Sequence, residues 1–417
     1  MVRYSPIFLA LLFLGACGDD STTTPPDTAD MAVDQAPDAE PDLGFDADMG
    51  ADLPEEMGEF VPEERTIFEQ GPYRIGYKIY TTVYDAVGQT DREIPIKVWY
   101  PSIDKEGEAP RYARILLRKE VMLDAEPYLL EEAPVLVFSH GNSSFSEQSY
   151  FMSEYFASHG WIVIAPDHTG NTFRDTQGGI SFESGAWRPQ DITAMLDHFE
   201  GLDDDPIASK MSDDIVMTGH SFGGFTTLAN AGSGFDVDGA LEVCEAPGAP
   251  SACQILSSED VVNKLREGFL DSRIKVAIPQ TPGGFLLFQQ GISEIDIPTL
   301  LMTAAMDNTL PDEEEGAPIW EAMGPKSMRL DLVAGGHFTY SNMCTVLPFI
   351  PEVQSDGCGE EFIDIEVAFE IINAYSMAFA RFHLFGDQEH LDLLNGEDAR
   401  WAEHLTLDYK SEALTAQ

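Results

Sequence analysis

Gly219-His220-Ser221-Phe222-Gly223-Gly224 is the stretch of this chain whose residue types and spacing speak first of chemistry. A short apolar run, Ile215 to Thr218, precedes it, and Phe222 to Ala231 reads as a helix. In that context G-x-S-x-G is a nucleophile elbow, a turn so sharp that only small residues fit on either side of the serine. A serine hydroxyl attacks only when a histidine takes its proton, and that histidine needs an acid to fix its tautomer. The chain must therefore supply both, each from a loop at the carboxyl end of a strand.

Four histidines follow Ser221: His337, His383, His390 and His404. His337 alone lies where a strand runs into a Gly-rich loop, Leu332-Val333-Ala334-Gly335-Gly336-His337-Phe338. The other three read as satisfied surface histidines, one on a closing helix and two in a polar tail. For the acid, Asp307 directly follows the apolar run Leu300 to Met306. Asp312 and Glu313 are nearby rivals, and Asp238 or Glu242 would serve if the acid came one strand earlier. Ester hydrolysis also needs donors for the oxyanion. The N–H of Phe222 is one expectation. The N–H of Asn142, in the loop Ser139-His140-Gly141-Asn142-Ser143, is the other, with His140 read as structural.

The strings FSHGNSS, APDHTGNT, WRPQDI, GHSFGG and AGGHFTYSNMC, with Asp307 at a strand end, resemble one family of α/β hydrolases. It holds the platelet-activating-factor acetylhydrolases and predicted dienelactone hydrolases, and is related to cutinase-like polyesterases. The likeness spans approximately residues 70–385. It implies an α/β-hydrolase fold, a Ser221–Asp307–His337 triad, and an oxyanion hole from Asn142 and Phe222. Two departures limit it. Dienelactone hydrolases use a cysteine nucleophile where this chain has Ser221, and platelet-activating-factor acetylhydrolases take their acid from the preceding strand.

The elements around these residues fit that expectation. Tyr73 to Tyr84 and Ile94 to Tyr100 read as opening strands; 134–139 and Trp161 to Ala165 read as strands buried on both faces. Further strands are expected at Ile274 to Pro279, Thr299 to Ala304 and Met328 to Val333. Helices are expected at Glu147 to Ser158, from Pro189 in a first turn to Gly201 with Asp191 near its positive end, and from Glu361 to Leu384. Strands alternating with helices imply a mostly parallel sheet covered on both faces. Residues 233–272 interrupt the alternation as a small helical insertion. With Phe145, Trp187 and the loop Thr281 to Gln290, it is expected to shape the acyl pocket, although core packing explains those aromatics equally well.

The 417 residues carry a formal net charge of −50, of which residues 1–64 hold −15 and the rest −35. So acidic a chain lacks the clustered Lys and Arg that nucleic-acid binding needs. Arg3, the apolar run Ile7 to Leu14 and Leu14-Gly15-Ala16-Cys17 read as an export signal, residues 1–16, ending in a lipobox-like cleavage site. That resemblance implies lipid on Cys17; low hydrophobicity and high charge imply a disordered acidic tether over 17–64, followed by a catalytic domain over 65–417. Gly18, rather than an Asp, follows the cysteine, which by resemblance to Gram-negative lipoproteins implies the outer membrane; free secretion is the alternative. The acidic run Asp46 to Asp52 lacks the terminal Glu of a calcium loop and reads as solvated. No cofactor and no metal is expected. The partners expected are a small-molecule or lipid ester and a membrane reached only through the N-terminal lipid, with the protein itself monomeric. Two local disulfides are expected, Cys244–Cys253 and Cys344–Cys358. The leading expectation is a serine carboxylester hydrolase working through an acyl-enzyme. Alternatives are a lipid or phospholipid acyl hydrolase, a polyesterase, and a non-catalytic surface-binding lipoprotein on the same scaffold.

Overall fold

Alternation of apolar side chains along buried strands sets the architecture. The computed structural model describes residues 60, 62–178, 183–247, 249 and 251–415. Cys17, the export signal and most of the acidic stretch lie outside them. The strands are β1 (Arg74–Ala86), β2 (Gln89–Ser102), β3 (Val121–Leu123), β4 (Ala133–Ser139), β5 (Ile162–Pro166), β6 (Met211–His220), β7 (Ile274–Gln280), β8 (Thr299–Ala304), β9 (Ser327–Leu332) and β10 (Leu405–Tyr409). They form one sheet in the order β10-β9-β8-β7-β6-β4-β5-β2-β1-β3. Every pair from β5 across to β9 is parallel. β2 joins β5 antiparallel, β1 pairs antiparallel with β2, and β10 closes the other edge antiparallel to β9.

The α-helices longer than four residues are α1 (Tyr150–Ser158), α2 (Ser184–Glu200), α3 (Phe222–Asn230), α4 (Val237–Cys244), α5 (Glu259–Glu267), α6 (Gly316–Ala322) and α7 (Ile365–Phe385) among the described residues. They pack on both faces of the sheet. Leu136 and Phe138 of β4 pack in the cluster that contains α1 and α7, while Val135 and Val137 join the cluster with Ile192 and Met195 of α2. This period of two is what a strand buried on both faces requires. α3 and α5 cover Ala277 and Leu301. The insertion over 233–272 holds α4, a 3-10 turn at Ser251–Ser257 and α5. Both local disulfides are present, with Cα atoms 5.4 Å apart for Cys244–Cys253 and 5.3 Å for Cys344–Cys358.

Four sequence expectations are corrected. α2 begins at Ser184, so Pro189 is its sixth residue, inside the helix rather than in its first turn. The ring removes the N–H that would bond the Gly185 carbonyl, and burial of Ala186, Ile192 and Met195 offsets the loss. Asp191 therefore does not serve the helix's positive end; it is buried in an ion pair with Arg92. His383 is not a surface histidine: it is buried, with Nε2–H donating to the Ala413 carbonyl at 3.1 Å. The residues after α7 are more than a polar tail, because Leu405–Tyr409 adds the edge strand β10. Its alternation was too short to stand out among charged neighbours.

The Arg92–Asp191 pair ties the antiparallel hairpin to α2. Arg92 Nε and Nη2 meet the two Asp191 oxygens at 2.7 and 2.8 Å, and Tyr84 Oη donates to Oδ1 at 2.5 Å. Removing one partner of a buried pair strands the other. Arg92→Met should therefore lower the free energy of unfolding by about 3–5 kcal/mol in urea melts. A loss below about 1 kcal/mol would show that the pair does not anchor the hairpin.

Candidate active site

The elbow forms where β6 turns into α3. Ser221 has φ 59° and ψ −117°, a conformation that an L side chain adopts only under constraint. Two contacts impose it. Ser221 N–H donates to the Gln280 carbonyl at the end of β7, at 2.9 Å. Gly223 packs so closely on the end of β4 that a Cβ there would collide with the Ser139 carbonyl. The strain leaves Ser221 half-buried at the carboxyl edge of the sheet, with the N-terminus of α3 behind it.

The loops after β8 and β9 bring Asp307 and His337 together. His337 Nδ1–H donates to Asp307 Oδ2 at 2.7 Å, and both side chains are buried. Asp307 Oδ1 accepts from the N–H groups of Thr309 and Leu310 at 2.9 and 2.6 Å, which fixes the carboxylate. With Nδ1–H committed to Asp307, the lone pair of His337 is on Nε2, the atom a general base needs. Burial alone would lower the His337 pKa, but the Asp307 charge and hydrogen bond, with Asp356 adding to the field, carry it above the ordinary 6.5.

The rival acids are elsewhere. Asp238 lies exposed on α4 against Arg266 at 2.6 Å, and Glu242 on the same helix is exposed. Asp312 pairs with Arg329 at 2.7 Å, and Glu313 is exposed.

Ser221 is linked to the histidine loop through its neighbour. His220 Nε2–H donates to the His337 carbonyl at 2.8 Å, and its ring lies 4.7 Å from that of His337. His220 Nδ1 then accepts from Gln148 Nε2 at 2.6 Å, while Gln148 Oε1 accepts the Gly141 N–H at 2.7 Å. One row of hydrogen bonds thus joins the Gly141 loop, the elbow and the histidine loop. Burial, and then the His337 charge, hold His220 well below the ordinary imidazole value, so it stays neutral and the row keeps its direction.

Asp356 completes the support. Its Oδ1 accepts the N–H groups of His337 and Asn308 at 2.9 and 3.0 Å, and Oδ2 accepts the Thr309 hydroxyl at 2.6 Å. Gly336 permits that approach, since a Cβ there would lie 2.6 Å from the Asp356–Gly357 peptide. The Cys344–Cys358 disulfide closes the segment carrying Asp356 back onto the histidine loop. Sequence reasoning missed Asp356, Gln148 and the role of His220. Only the disulfide spacing hinted that 344–358 folds back on His337.

The two expected oxyanion donors sit on adjacent loops. Among the described residues, neither the Phe222 nor the Asn142 N–H is spent on a hydrogen bond within the protein. His140 is structural as expected, buried with Nδ1 against the Gly141 carbonyl and Nε2 accepting the His168 N–H at 3.1 Å. Trp187 is drawn away toward the hairpin, donating to the Val87 carbonyl at 2.7 Å and lying under Arg92. Of the insertion, Ile255 reaches Gly185 beside the Phe222 ring. The Phe285 N–H at the 281–290 loop donates to Glu315 at 2.8 Å.

Residues 136–350, just over half of the chain, match the description Alpha/beta hydrolase family, and the matched span holds the elbow, Asp307 and His337. The chain belongs to the alpha/beta hydrolase family. The fold of this hydrolase is similar to that of a ferulic acid esterase from Streptomyces cinnamoneus, with TM-score 0.55 and 21% identity. The match covers 76% of this chain and 91% of that one, and at this identity it is a likeness of fold. No curated protein sequence matches the chain.

A base works only while neutral, and the His337 pKa is raised, so activity should fall as pH drops through a value above 6.5. The acid limb of kcat/KM should lie there. Asp307→Asn removes the field that raises it, moves the limb to lower pH, and should cut kcat by ~10⁴ through loss of the tautomer. An unmoved limb in that variant would detach Asp307 from His337.

Proposed function

We propose that this hydrolase is a serine carboxylester hydrolase acting through an acyl-enzyme, with Ser221 as nucleophile, His337 as base and Asp307 as its orienting acid. The observation that carries this reading is the buried His337–Asp307 hydrogen bond, held by His220 beside the strained turn of Ser221. His337 Nε2 takes the Ser221 proton as Oγ attacks the ester carbonyl. The negative charge that forms on the carbonyl oxygen is received by the N–H groups of Phe222 and Asn142, a contribution of roughly 3–4 kcal/mol per donor in comparable sites. Collapse expels the alcohol, to which His337 returns the proton, and water then repeats the sequence on the acyl-serine.

The likeness to platelet-activating-factor acetylhydrolases and cutinase-like polyesterases belongs to this reading, and it leaves the acyl group open. Labelling with a fluorophosphonate, followed by rates on p-nitrophenyl esters of rising chain length, on phospholipid and on polyester, tests it. Wild type should label at Ser221 and hydrolyse short esters. Ser221→Ala and His337→Ala should each abolish turnover while keeping the fold, since triad members act as one unit. Near wild-type turnover in Ser221→Ala would sink the assignment. Preference for long-chain phospholipid over soluble esters would move the reading to a lipid acyl hydrolase.

We also propose that the chain is anchored by lipid on Cys17, ahead of the acidic stretch, on the outer membrane of a Gram-negative cell, with the enzyme acting as a monomer. No helix among the described residues is long and apolar enough to cross a membrane. Fractionated cells should hold the wild type in membranes and Cys17→Ser in the soluble fraction. Both proteins in the soluble fraction would rule the anchor out.

A further inference from the structure

Arg188 of α2 carries a charge for which the proposed chemistry has no use so far. Its side chain is fully buried, and among the described residues no carboxylate touches it. Its donors go instead to neutral groups: Nη1 to Asn171 Oδ1 at 2.6 Å, Nε to Thr226 Oγ1 at 3.2 Å, and Nη2 to Ser139 Oγ at 3.1 Å and to the His140 carbonyl. Burial pulls its pKa down to about 9, with Asp191 opposing and Arg92 adding to that effect, so the group stays charged at neutral pH. An unpaired buried cation is costly to keep. Such a group persists where it does something.

A row of hydrogen bonds connects Arg188 to the Asp191 carboxylate, which itself pairs with Arg92. Ser139 Oγ donates onward to His168 Nε2 at 2.9 Å, and His168 Nδ1–H donates to Asp191 Oδ2 at 2.8 Å. Serine, histidine and aspartate stand in a row here a second time, yet all three are wholly buried, so no substrate reaches them. The row orients Ser139 toward Arg188 and fixes the guanidinium plane.

That plane touches both sides of the proposed oxyanion hole. It lies over the Phe222 ring at 4.6 Å. Through Asn171, whose Nδ2 donates to Asn142 Oδ1 at 2.8 Å, it also holds the second donor residue. Phe222 follows β6 and Asn142 follows β4, so two separate loops are spanned by one rigid fork. We propose that Arg188 is the positioning residue of the oxyanion hole, setting the spacing of the Phe222 and Asn142 N–H groups and placing a buried positive charge behind them. The proposal rests on the ester-hydrolase reading. A neutral ester carbonyl gains little from that charge and the oxyanion gains much, so the effect belongs in kcat rather than KM.

Fluorophosphonate labelling of wild-type Ser221 separates the two. If Ser221 does not label, the ester-hydrolase reading falls and this proposal falls with it. With labelling in hand, kcat, KM and the inhibition constant of a boronic-acid transition-state analogue are measured for Arg188→Met, Arg188→Lys and Asn171→Asp. Arg188→Met should lose ~10²-fold in kcat, the scale of one oxyanion donor. Its KM should stay near wild type, and analogue binding should weaken by a similar factor. Arg188→Lys, which keeps charge without the fork, should fall between. Asn171→Asp keeps an acceptor for Arg188 but faces Asn142 Oδ1 with a carboxylate; about a tenfold loss in kcat is expected, and it decides the matter alone if Arg188→Met does not fold. The proposal is overturned if kcat stays within about twofold of wild type, or if the loss appears in KM only.

Discussion

Close approach of β6 to β4 at their carboxyl ends is the constraint from which the site follows. Gly219 and Gly223 exist so that the turn can lie on the Ser139 carbonyl, and Ser221 is forced to positive φ between them. A residue in that region costs of order 1–3 kcal/mol, and it persists only where its surroundings over-determine it. The parallel core β5-β4-β6-β7-β8 supplies that rigidity, buried on both faces and continuous through the strands whose following loops carry Asn142, Ser221 and Asp307.

Around the turn, the protein uses buried polar rows rather than apolar packing to fix loop positions. Gly141–Gln148–His220–His337 crosses from the loop after β4 to the loop after β9. Asp356 joins the His337 loop to the Asp307 loop. Arg188 and the Ser139–His168–Asp191 row lie at the end of β4. Such networks add little net stability, since desolvation consumes most of the hydrogen-bond gain. They do define geometry, because each donor and acceptor has one correct partner. Neutral His220 and His168 matter for that reason: a second proton on either ring would turn an acceptor into a donor and break its row. Burial, by pushing both pKa values well down, holds the direction of each row.

The division of labour along the chain is uneven. Most of the acidic surplus sits on the surface and in the stretch before residue 65, while buried carboxylates such as Asp191 and Glu154 meet an arginine. The insertion over 233–272 brings Ile255 against Gly185, beside the Phe222 ring.

What the residues alone determined was local. Apolar runs such as 134–139 and 299–304 named their strands, because burial on both faces demands uninterrupted hydrophobic residues. The tight turn demanded Gly219 and Gly223, and strand-end position singled out His337 and favoured Asp307. Cysteine spacing was enough for the two local disulfides. Only the tertiary structure decided the rest, since it depends on contacts between residues far apart in the chain. It put the Asp307 carboxylate against His337, and those of Asp238 and Asp312 against Arg266 and Arg329. It turned Pro189 into an interior helix residue and Asp191 into a buried anion. It revealed Gln148, Asp356 and Arg188, polar side chains whose sequence neighbours carry no trace of their partners. A hydrogen bond across 72 or 117 residues leaves no periodic signature in the sequence, so the rows that hold this site in place appear only once the sheet has folded.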